Sequence, residues 1–348
     1  MSQAYQHPVT AAGALRLHLN ENTAGCSPKV IEALRALGRD DIALYPDYDA
    51  VYRETAQYLG VPETSLLLTN GLDEGILLAA VIGQKRRPAD GDAESIVILP
   101  AFDMYAITVE AVGGRLVFVS PRADYTFPLE DTLAAISPHT RTVFITSPNN
   151  PTGVRVSNDA IRTVARALPA DALVFVDEAY HDFCGDTVVH ELGSLPNVVV
   201  GRTFAKAQGL AALRAGAIVA VPETLDAFKP VIPPYSLNVV AAAALRAALA
   251  DRDYLAWYVG QVRDSRERFY AFCRTHGFEY WESSANFVLA RVGEHATALT
   301  DALRTRGIYV RDKSADPNCR GCIRVTTGTV EATEAAVAAM EEYLCGAQ

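Results

Sequence analysis

The stretch VFITSPNNPTG, residues 143–153, runs from an apolar segment into a turn of asparagine, proline, threonine and glycine. Its first half is apolar on both faces, as is LVFVD at residues 173–177, and such strands are typical of parallel sheets covered by helices on both sides. Proline and glycine suit any turn, since Pro fixes φ and Gly accepts a positive φ. The carboxyl ends of strands in open α/β sheets are also where ligands bind. The stretch alone leaves open whether Asn150 serves the turn or a ligand.

Strand-like and helix-like segments alternate on both sides of this stretch. Helical patterns over residues 73–82 and 159–168 separate apolar runs. This alternation predicts an α/β fold with a mostly parallel seven-stranded sheet covered by helices. The predicted strands are residues 65–69, 95–99, 115–119, 142–146, 172–176, 197–200 and 215–221.

The two ends of the chain predict a smaller α+β domain. Ser27 followed by Pro28 is typical of a helix start, here for residues 29–37. Beyond Pro234 we predict helices over residues 238–249, 253–275, 295–306 and 330–343, with short strands over 286–291 and 322–325. The resulting domain prediction is an N-terminal arm with part of the small domain (1–40), a large domain (41–235) and a C-terminal small domain (236–348).

Composition limits the classes of function. The 348 residues are 50% hydrophobic and 21% charged, with a formal net charge of −10, which disfavours binding to nucleic acid. The N-terminal segment lacks the basic and apolar regions of a secretory signal, and no apolar run is long enough to span a membrane. We therefore expect a cytoplasmic protein. Cys319 and Cys322 form a single C-x-x-C without a second pair at zinc-site spacing, so no metal site is predicted.

Polar residues follow several predicted strands and meet at one edge of the sheet. Taken singly, a strand-end aspartate such as Asp177 is usually a turn residue, and a loop lysine such as Lys206 is usually solvated. No dinucleotide-binding, P-loop or nucleophile-elbow glycine motif is present. Pyridoxal 5′-phosphate (PLP) needs a lysine, an acid at its ring nitrogen and a cationic, hydroxylated phosphate cradle. The set as a whole favours this cofactor.

Eight motifs carry a resemblance that covers essentially the whole chain in order. They resemble the signatures of PLP-dependent fold-type I aminotransferases of classes I and II, and most of all those of histidinol-phosphate aminotransferases. The motifs are LHLNENTAGCSP, LYPD, NGLDEGI, PAFDMY, SPNNPTG, VFVDEAY, GRTFAKAQGLAALRAG and IRVTTGT.

The resemblance implies PLP as cofactor and assigns roles to residues of this chain. Lys206 would bind the cofactor covalently and shuttle the proton, and Asp177 would pair with the ring nitrogen. Asn150 and Tyr180 would bond the ring hydroxyl, and Tyr105 would stack on the ring. The phosphate would be held by Thr203, Arg214, the amides of Leu72 and Asp73, and Tyr45 of the partner subunit. The catalytic residues are accordingly Lys206, Asp177 and Tyr180, in a homodimer with shared sites.

The same resemblance assigns the substrate residues. Arg324 matches the arginine that binds the substrate carboxylate, and Arg311 would join it in gripping a substrate phosphate. Asn20 and Tyr5 complete the implied substrate-binding set. The two arginines could equally receive both carboxylates of glutamate, since phosphate and carboxylate both accept forked guanidinium donors.

These expectations lead to one predicted reaction and three alternatives. The reaction is transamination of L-histidinol phosphate with 2-oxoglutarate, giving imidazole acetol phosphate and glutamate. Two alternatives have a similar scaffold, an aromatic amino-acid aminotransferase and a threonine-phosphate decarboxylase. A PLP-sensing transcription regulator is disfavoured because no residues remain for a DNA-binding domain ahead of the Asn-Glu-Asn segment and because the chain is acidic. The predicted partners are therefore a small amino donor, a 2-oxo acid and a second copy of the chain.

Overall fold

The computed structural model describes residues 10–346, and its strands fall into three sheets. The thirteen strands of this part of the chain are β1 (Leu15–Arg16), β2 (Leu66–Asn70), β3 (Glu94–Ile98), β4 (Arg115–Val119), β5 (Thr140–Thr146), β6 (Leu173–Asp177), β7 (Val198–Thr203), β8 (Ala215–Val219), β9 (Glu279–Tyr280), β10 (Phe287–Arg291), β11 (Ile308–Tyr309), β12 (Arg311–Asp312) and β13 (Cys322–Thr326).

Twelve α-helices accompany these strands within the described residues. They are α1 (Pro28–Arg35), α2 (Arg39–Ala43), α3 (Asp49–Leu59), α4 (Leu72–Lys85), α5 (Met104–Ala111), α6 (Leu129–Ala134), α7 (Asn158–Ala167), α8 (Pro222–Leu225), α9 (Val239–Ala250), α10 (Arg252–His276), α11 (Ala296–Thr305) and α12 (Val330–Gly346). Short 3-10 helices lie at Glu63–Ser65, His181–Phe183, Val189–Ser194, Ala211–Leu213 and Gly293–His295.

The largest sheet has seven strands in the order β2-β8-β7-β6-β5-β3-β4. The pairs from β4 across to β7 are parallel, and β8 runs antiparallel to both of its neighbours. Strands β5 and β6 are buried along their whole length, which agrees with their two apolar faces. The predicted fold class is confirmed. All seven strand predictions correspond to observed strands, with ends that differ by up to three residues.

A second, antiparallel sheet has the order β12-β13-β10-β9, and α11 and α12 pack beside it. The N-terminal segment joins this part of the molecule, because β1 pairs in parallel with β11 and the Leu17 carbonyl accepts the N–H of Thr326 at 2.9 Å. This is the smaller α+β unit that the sequence predicts.

Local signals in the sequence explain several helix ends. The Ser27 side chain accepts the N–H of Lys29 at the start of α1, with Pro28 in the first helical position. Helix α10 ends at His276 and is capped by Gly277, whose φ of 67° is in the left-handed region that glycine tolerates best.

Helix α10 connects the two units through their cores, whereas α9 packs on the large unit. Buried α9 residues such as Leu245 share an apolar cluster with the strands of the large sheet. Helix α10 places Tyr258 and Val262 in the core on the large sheet and Phe269 in the core of the small one. The predicted domain boundaries at residues 40 and 235 stay a prediction. No helix among residues 10–346 is both long and apolar enough to cross a membrane.

Candidate active site

A cavity of about 200 Å³ lies at the carboxyl edge of the large sheet. Strands β5, β6 and β7 deliver Thr146, Asp177 and Thr203 to its floor. The small sheet and the N-terminal segment form the opposite wall. The cavity therefore lies at the ligand-binding edge of an open α/β sheet and between two structural units.

Asp177 ends β6 as a buried carboxylate with defined partners. Its Oδ1 accepts the N–H of Ala179 at 2.9 Å, and its Oδ2 accepts the hydroxyl of Tyr105 at 2.6 Å. Burial raises the pKa of Asp177 to about 6, although both hydrogen bonds favour the charged form. Such a carboxylate gains from a cationic partner in the cavity, because it has left water without acquiring a full countercharge.

Lys206 follows β7 and reaches the same cavity. Its Nζ donates to the carbonyl oxygen of Leu19 at 3.1 Å and lies 5.9 Å from the centre of the Tyr180 ring. Burial, followed by the positive charge of Arg324, lowers the pKa of Lys206 to about 8. More of this amine is therefore neutral near pH 7 than in a lysine with an ordinary pKa, and the neutral form is the one that acts as a nucleophile or a general base.

The start of α4 offers an anion site at the rim of the cavity. Gly71, with a φ of 74°, turns the chain from β2 so that the first N–H groups of α4, those of Leu72 and Asp73, have no partner within the helix. The Arg214 guanidinium packs directly on Gly71, in the space that a Cβ would fill, and bonds Asp73 Oδ2 at 2.7 Å. Thr203, at the end of β7, adds a hydroxyl to the lining of the same cavity. The combination fits a phosphate group.

Polar side chains from both units are hydrogen-bonded across the cavity. The Tyr180 hydroxyl accepts from Nδ2 of Asn20 at 2.9 Å. Oδ1 of Asn150 accepts from the guanidinium of Arg324, which also donates to the carbonyl of His18 at 2.6 Å. Asn150, the asparagine of the SPNNPTG turn, thus faces the cavity and orients an arginine of the opposite wall.

Two arginines occupy opposed positions in the small sheet. Arg311 of β12 pairs in register with Arg324 of β13, and both line the cavity. The side chain of Arg311 forms no hydrogen bond or ion pair with any other residue in the range 10–346. Like charges at directly opposed positions destabilise a sheet. Their placement therefore indicates that this wall binds an anion.

Two aromatic residues of the PAFDMY motif have different positions. Tyr105 is 1% exposed, and its ring stacks on Phe144 at 5.1 Å. Phe102, two residues before α5, also lines the cavity and meets the Tyr105 ring edge-on at 5.9 Å. Stacking of Tyr105 on a cofactor stays a prediction. Phe102 is a second aromatic available to a flat ligand, and the motif alone did not distinguish the two.

Tyr45 does not line the cavity of this single chain. Tyr45 is 78% exposed and stacks on Tyr235 at 4.2 Å, so its predicted role in a partner's site is untested by one chain. Tyr5 lies outside the described residues. All other predicted site residues line the cavity.

Among the lining residues that the sequence analysis missed are two basic ones, His18 and Lys313. Burial, followed by the charges of Arg16, Arg311 and Arg324, lowers the pKa of His18 to about 4. His18 lies two residues before Asn20 of the Asn-Glu-Asn motif. Lys313 is two residues after Arg311, which is the spacing of side chains on one face of a strand. Cys319 and Cys322 are buried and free, and no metal-binding cluster of His, Cys, Asp or Glu is present among residues 10–346.

This geometry agrees with the comparisons with known proteins. The family model for aminotransferase class I and II matches residues 13–340. The chain belongs to this family. The resemblance noted in the sequence motifs is therefore confirmed, and the protein is an aminotransferase.

Relatives within the family carry a more specific name. A histidinol-phosphate aminotransferase of Anoxybacillus flavithermus is 35% identical over 337 residues, which is 95% of this chain and 88% of that protein. One from Methanococcoides burtonii is 34% identical, with 95% and 90% covered. The crystal structure of a histidinol-phosphate aminotransferase from Sinorhizobium meliloti, in complex with pyridoxal 5′-phosphate, superposes with a TM-score of 0.86 at 29% identity, covering 96% of this chain and 92% of that one.

Proposed function

We propose that this enzyme transfers the amino group of L-histidinol phosphate to 2-oxoglutarate, giving imidazole acetol phosphate and glutamate, with pyridoxal 5′-phosphate as cofactor. The observation that carries the proposal is the pair of opposed guanidinium groups, Arg311 and Arg324, facing a cavity that contains the buried amine of Lys206 and the buried carboxylate of Asp177. The names of the relatives support the same reaction.

The residues present fit this cofactor. When bound, pyridoxal 5′-phosphate supplies a protonated aromatic ring that withdraws electrons from the substrate's Cα. Asp177 would hold the proton on the ring nitrogen, because its raised pKa makes the buried carboxylate favour a cationic partner. Asn150 and Tyr180 would bond the ring hydroxyl.

The phosphate of the cofactor would lie at the start of α4. Its ligands there would be the N–H groups of Leu72 and Asp73, the Thr203 hydroxyl and the Arg214 guanidinium. Helix N-termini bind phosphate because their first N–H groups are unpaired and the helix dipole is positive at that end.

Lys206 would have two tasks, to hold the cofactor covalently and to move a proton. Its lowered pKa keeps part of the amine neutral. Nζ could therefore take a proton from the substrate's Cα in one half-reaction and give a proton back in the other. Its hydrogen bond to the Leu19 carbonyl fixes the amine at the base of the cavity.

Arg311 and Arg324 would receive either the phosphate of histidinol phosphate or the two carboxylates of glutamate. Asn150 and the His18 carbonyl hold Arg324 in one orientation. The Arg311 side chain has no hydrogen bond or ion pair with the described residues and is available to the substrate. Asn20, which bonds Tyr180, would lie beside the substrate. A divalent anion suits two opposed cations better than one carboxylate does.

We also propose that the enzyme is a homodimer whose sites are completed across the interface. Support comes from a cluster of exposed apolar side chains: Ile42 at 61%, Leu44 at 69%, Tyr45 at 78% and Tyr235 at 49% exposure. Apolar surface of this kind is typical of subunit interfaces. Tyr45 would reach the cofactor phosphate of the partner subunit. We assign the enzyme to the cytoplasm because its six cysteines are free.

Product analysis tests the proposed reaction. Purified enzyme loaded with pyridoxal 5′-phosphate is mixed with histidinol phosphate and 2-oxoglutarate, and glutamate and imidazole acetol phosphate are measured together. Equal amounts of both products support transamination. Release of CO₂ from threonine phosphate, without amino transfer, would instead identify a decarboxylase.

A further inference from the structure

A third cation stands beside the two arginines of the small sheet. Lys313 lines the cavity and is only 9% exposed. Lysine is rarely buried to this extent unless its charge has a partner. Here the ammonium forms an ion pair with Asp316, three residues further along the chain.

The strand register explains why the three cations share one wall. Arg311 and Lys313 are two residues apart, so their side chains leave the same face of the extended chain. Arg311 is opposite Arg324, and the Lys313 N–H bonds the carbonyl of Cys322 at 2.9 Å, which continues the pairing of β12 with β13. The backbone thus brings Lys313 to the same cluster as the two arginines.

The segment after Lys313 is held in place by a chain of turns. Three successive backbone hydrogen bonds of 2.8–3.0 Å each join an N–H to the carbonyl three residues earlier. Their donors are the N–H groups of Asp316, Cys319 and Cys322. Cys319 and Cys322 are buried beneath Tyr125, whose hydroxyl donates to the Asn318 carbonyl at 2.8 Å. Asp316 is therefore at a fixed position from which it can orient the ammonium.

We propose that Lys313 is a further substrate-binding residue, that it contacts the phosphate of the amino donor, and that Asp316 holds its ammonium in position for this contact. The proposal rests on the proposed function and names a specificity-determining residue for it. It requires that the substrate carry a divalent anion at the end remote from its amino group.

The charges on this wall fit such a substrate. This wall carries three positive charges, on Arg311, Arg324 and Lys313, and one negative charge, on Asp316. The net charge of the four side chains is therefore +2. A single phosphate dianion carries two negative charges and accepts hydrogen bonds on three oxygens, so it neutralises this net charge. A single carboxylate has half the charge and two oxygens. Loss of Lys313 should therefore weaken phosphate binding more than carboxylate binding.

The test compares phosphorylated and unphosphorylated amino donors with the loaded enzyme. The ratio of kcat/KM for histidinol phosphate to that for histidinol is measured for the wild type, for Lys313→Met and for Lys229→Met. Lys229 is a matched control because it also pairs with an aspartate three residues away, Asp226, but on the exposed surface.

We expect Lys313→Met to lower kcat/KM for histidinol phosphate about 10- to 100-fold, mainly through KM, the loss typical of one hydrogen bond to a charged group. The value for histidinol should stay within about twofold, as should both values for the Lys229 variant. Lys313→Arg should restore most of the preference for the phosphorylated donor.

The possible results distinguish a failure of this inference from a failure of the proposed function. If the wild type shows no preference for histidinol phosphate over histidinol, the proposed function fails. If the wild type shows the preference and Lys313→Met keeps it in full, or loses both substrates equally, Lys313 does not contact the phosphate. Should Lys313→Met not fold, Asp316→Asn decides. An ammonium that has lost the partner that positions it should raise KM for histidinol phosphate and leave KM for histidinol within about twofold, and an unchanged KM for histidinol phosphate would overturn the inference.

Discussion

The hydroxyl of Tyr105 donates a hydrogen bond of 2.6 Å to Oδ2 of Asp177 and accepts one of 2.8 Å from Oγ1 of Thr146. All three side chains are buried at the floor of the cavity. The bond from Tyr105 favours the ionised carboxylate and so opposes the effect of burial on the pKa of Asp177. Tyr105 therefore acts on the carboxylate that we propose to bind the ring nitrogen, as well as filling the core.

Replacing Tyr105 with Phe removes this bond and keeps the ring. The pKa of Asp177 should rise further, so the ring nitrogen is held protonated less firmly and kcat should fall about tenfold, in line with a charge-assisted hydrogen bond of about 1.5 kcal/mol. The low-pH limb of the kcat profile should move to higher pH. Tyr280→Phe, which alters an exposed hydroxyl, is the control. An unchanged profile would show that Tyr105 does not influence Asp177.

Asp177→Asn should make the cofactor-free protein more stable at pH 7.5. Burial raises the folded-state pKa of Asp177 from 3.8 to about 6, so the folded protein binds the proton more tightly than the unfolded chain. The ionised carboxylate thus destabilises the fold above pH 6, by up to about 3 kcal/mol, and this penalty disappears as the pH falls towards 4.

Urea unfolding of the wild type and of Asp177→Asn at pH 7.5 and pH 4 measures this difference. The same variant, once loaded with cofactor, should lose at least about 100-fold in turnover, because an amide cannot hold the ring nitrogen protonated. A variant that is no more stable than the wild type at pH 7.5 would contradict the raised pKa.

Covalent loading of Lys206 should depend on pH with a midpoint of about 8, where burial places the pKa of its amine. Only the neutral amine attacks a carbonyl, so the rate of loading of the cofactor-free protein should rise with pH and level off above the midpoint. Borohydride reduction followed by peptide mapping measures attachment. Lys206→Ala should show no attachment and lose at least about 10³-fold in rate. Attachment at another lysine would remove Lys206 from its assigned role.

The subunits should form a dimer of twice 37.5 kDa by light scattering. Tyr45→Phe removes one hydroxyl from an exposed side chain and should keep the dimer intact. If Tyr45 contacts the partner's cofactor phosphate, the Tyr45→Phe dimer should bind pyridoxal 5′-phosphate about tenfold more weakly than the wild type. A stable monomer with full activity would contradict a shared site.

The large sheet was predictable from sequence because its strands are apolar on both faces and end in turn residues. Strand β6 was predicted within one residue at each end, and the helix start at Ser27 and Pro28 followed from the capping rules. The strand-end residues Asn150, Asp177 and Thr203 then had to meet at one edge, since parallel strands share their carboxyl ends.

The opposite wall was harder to predict, because it depends on packing between distant segments. A loop lysine such as Lys313 is usually solvated, and only the pairing of β12 with β13 shows that it joins Arg311 and Arg324. The choice between Phe102 and Tyr105 at the cavity depends on where α5 begins, which the motif does not specify.

Substrate preference tests the central claim most directly. The measurement is kcat/KM for histidinol phosphate against phenylalanine and tyrosine, with 2-oxoglutarate as acceptor, for the wild type and for Arg311→Leu. The wild type should prefer histidinol phosphate by at least about tenfold, and Arg311→Leu should lose most of that preference, because a phosphate dianion would remain only partly paired in the cavity. A preference of about tenfold or more for an aromatic amino acid would contradict the claim and identify an aromatic aminotransferase.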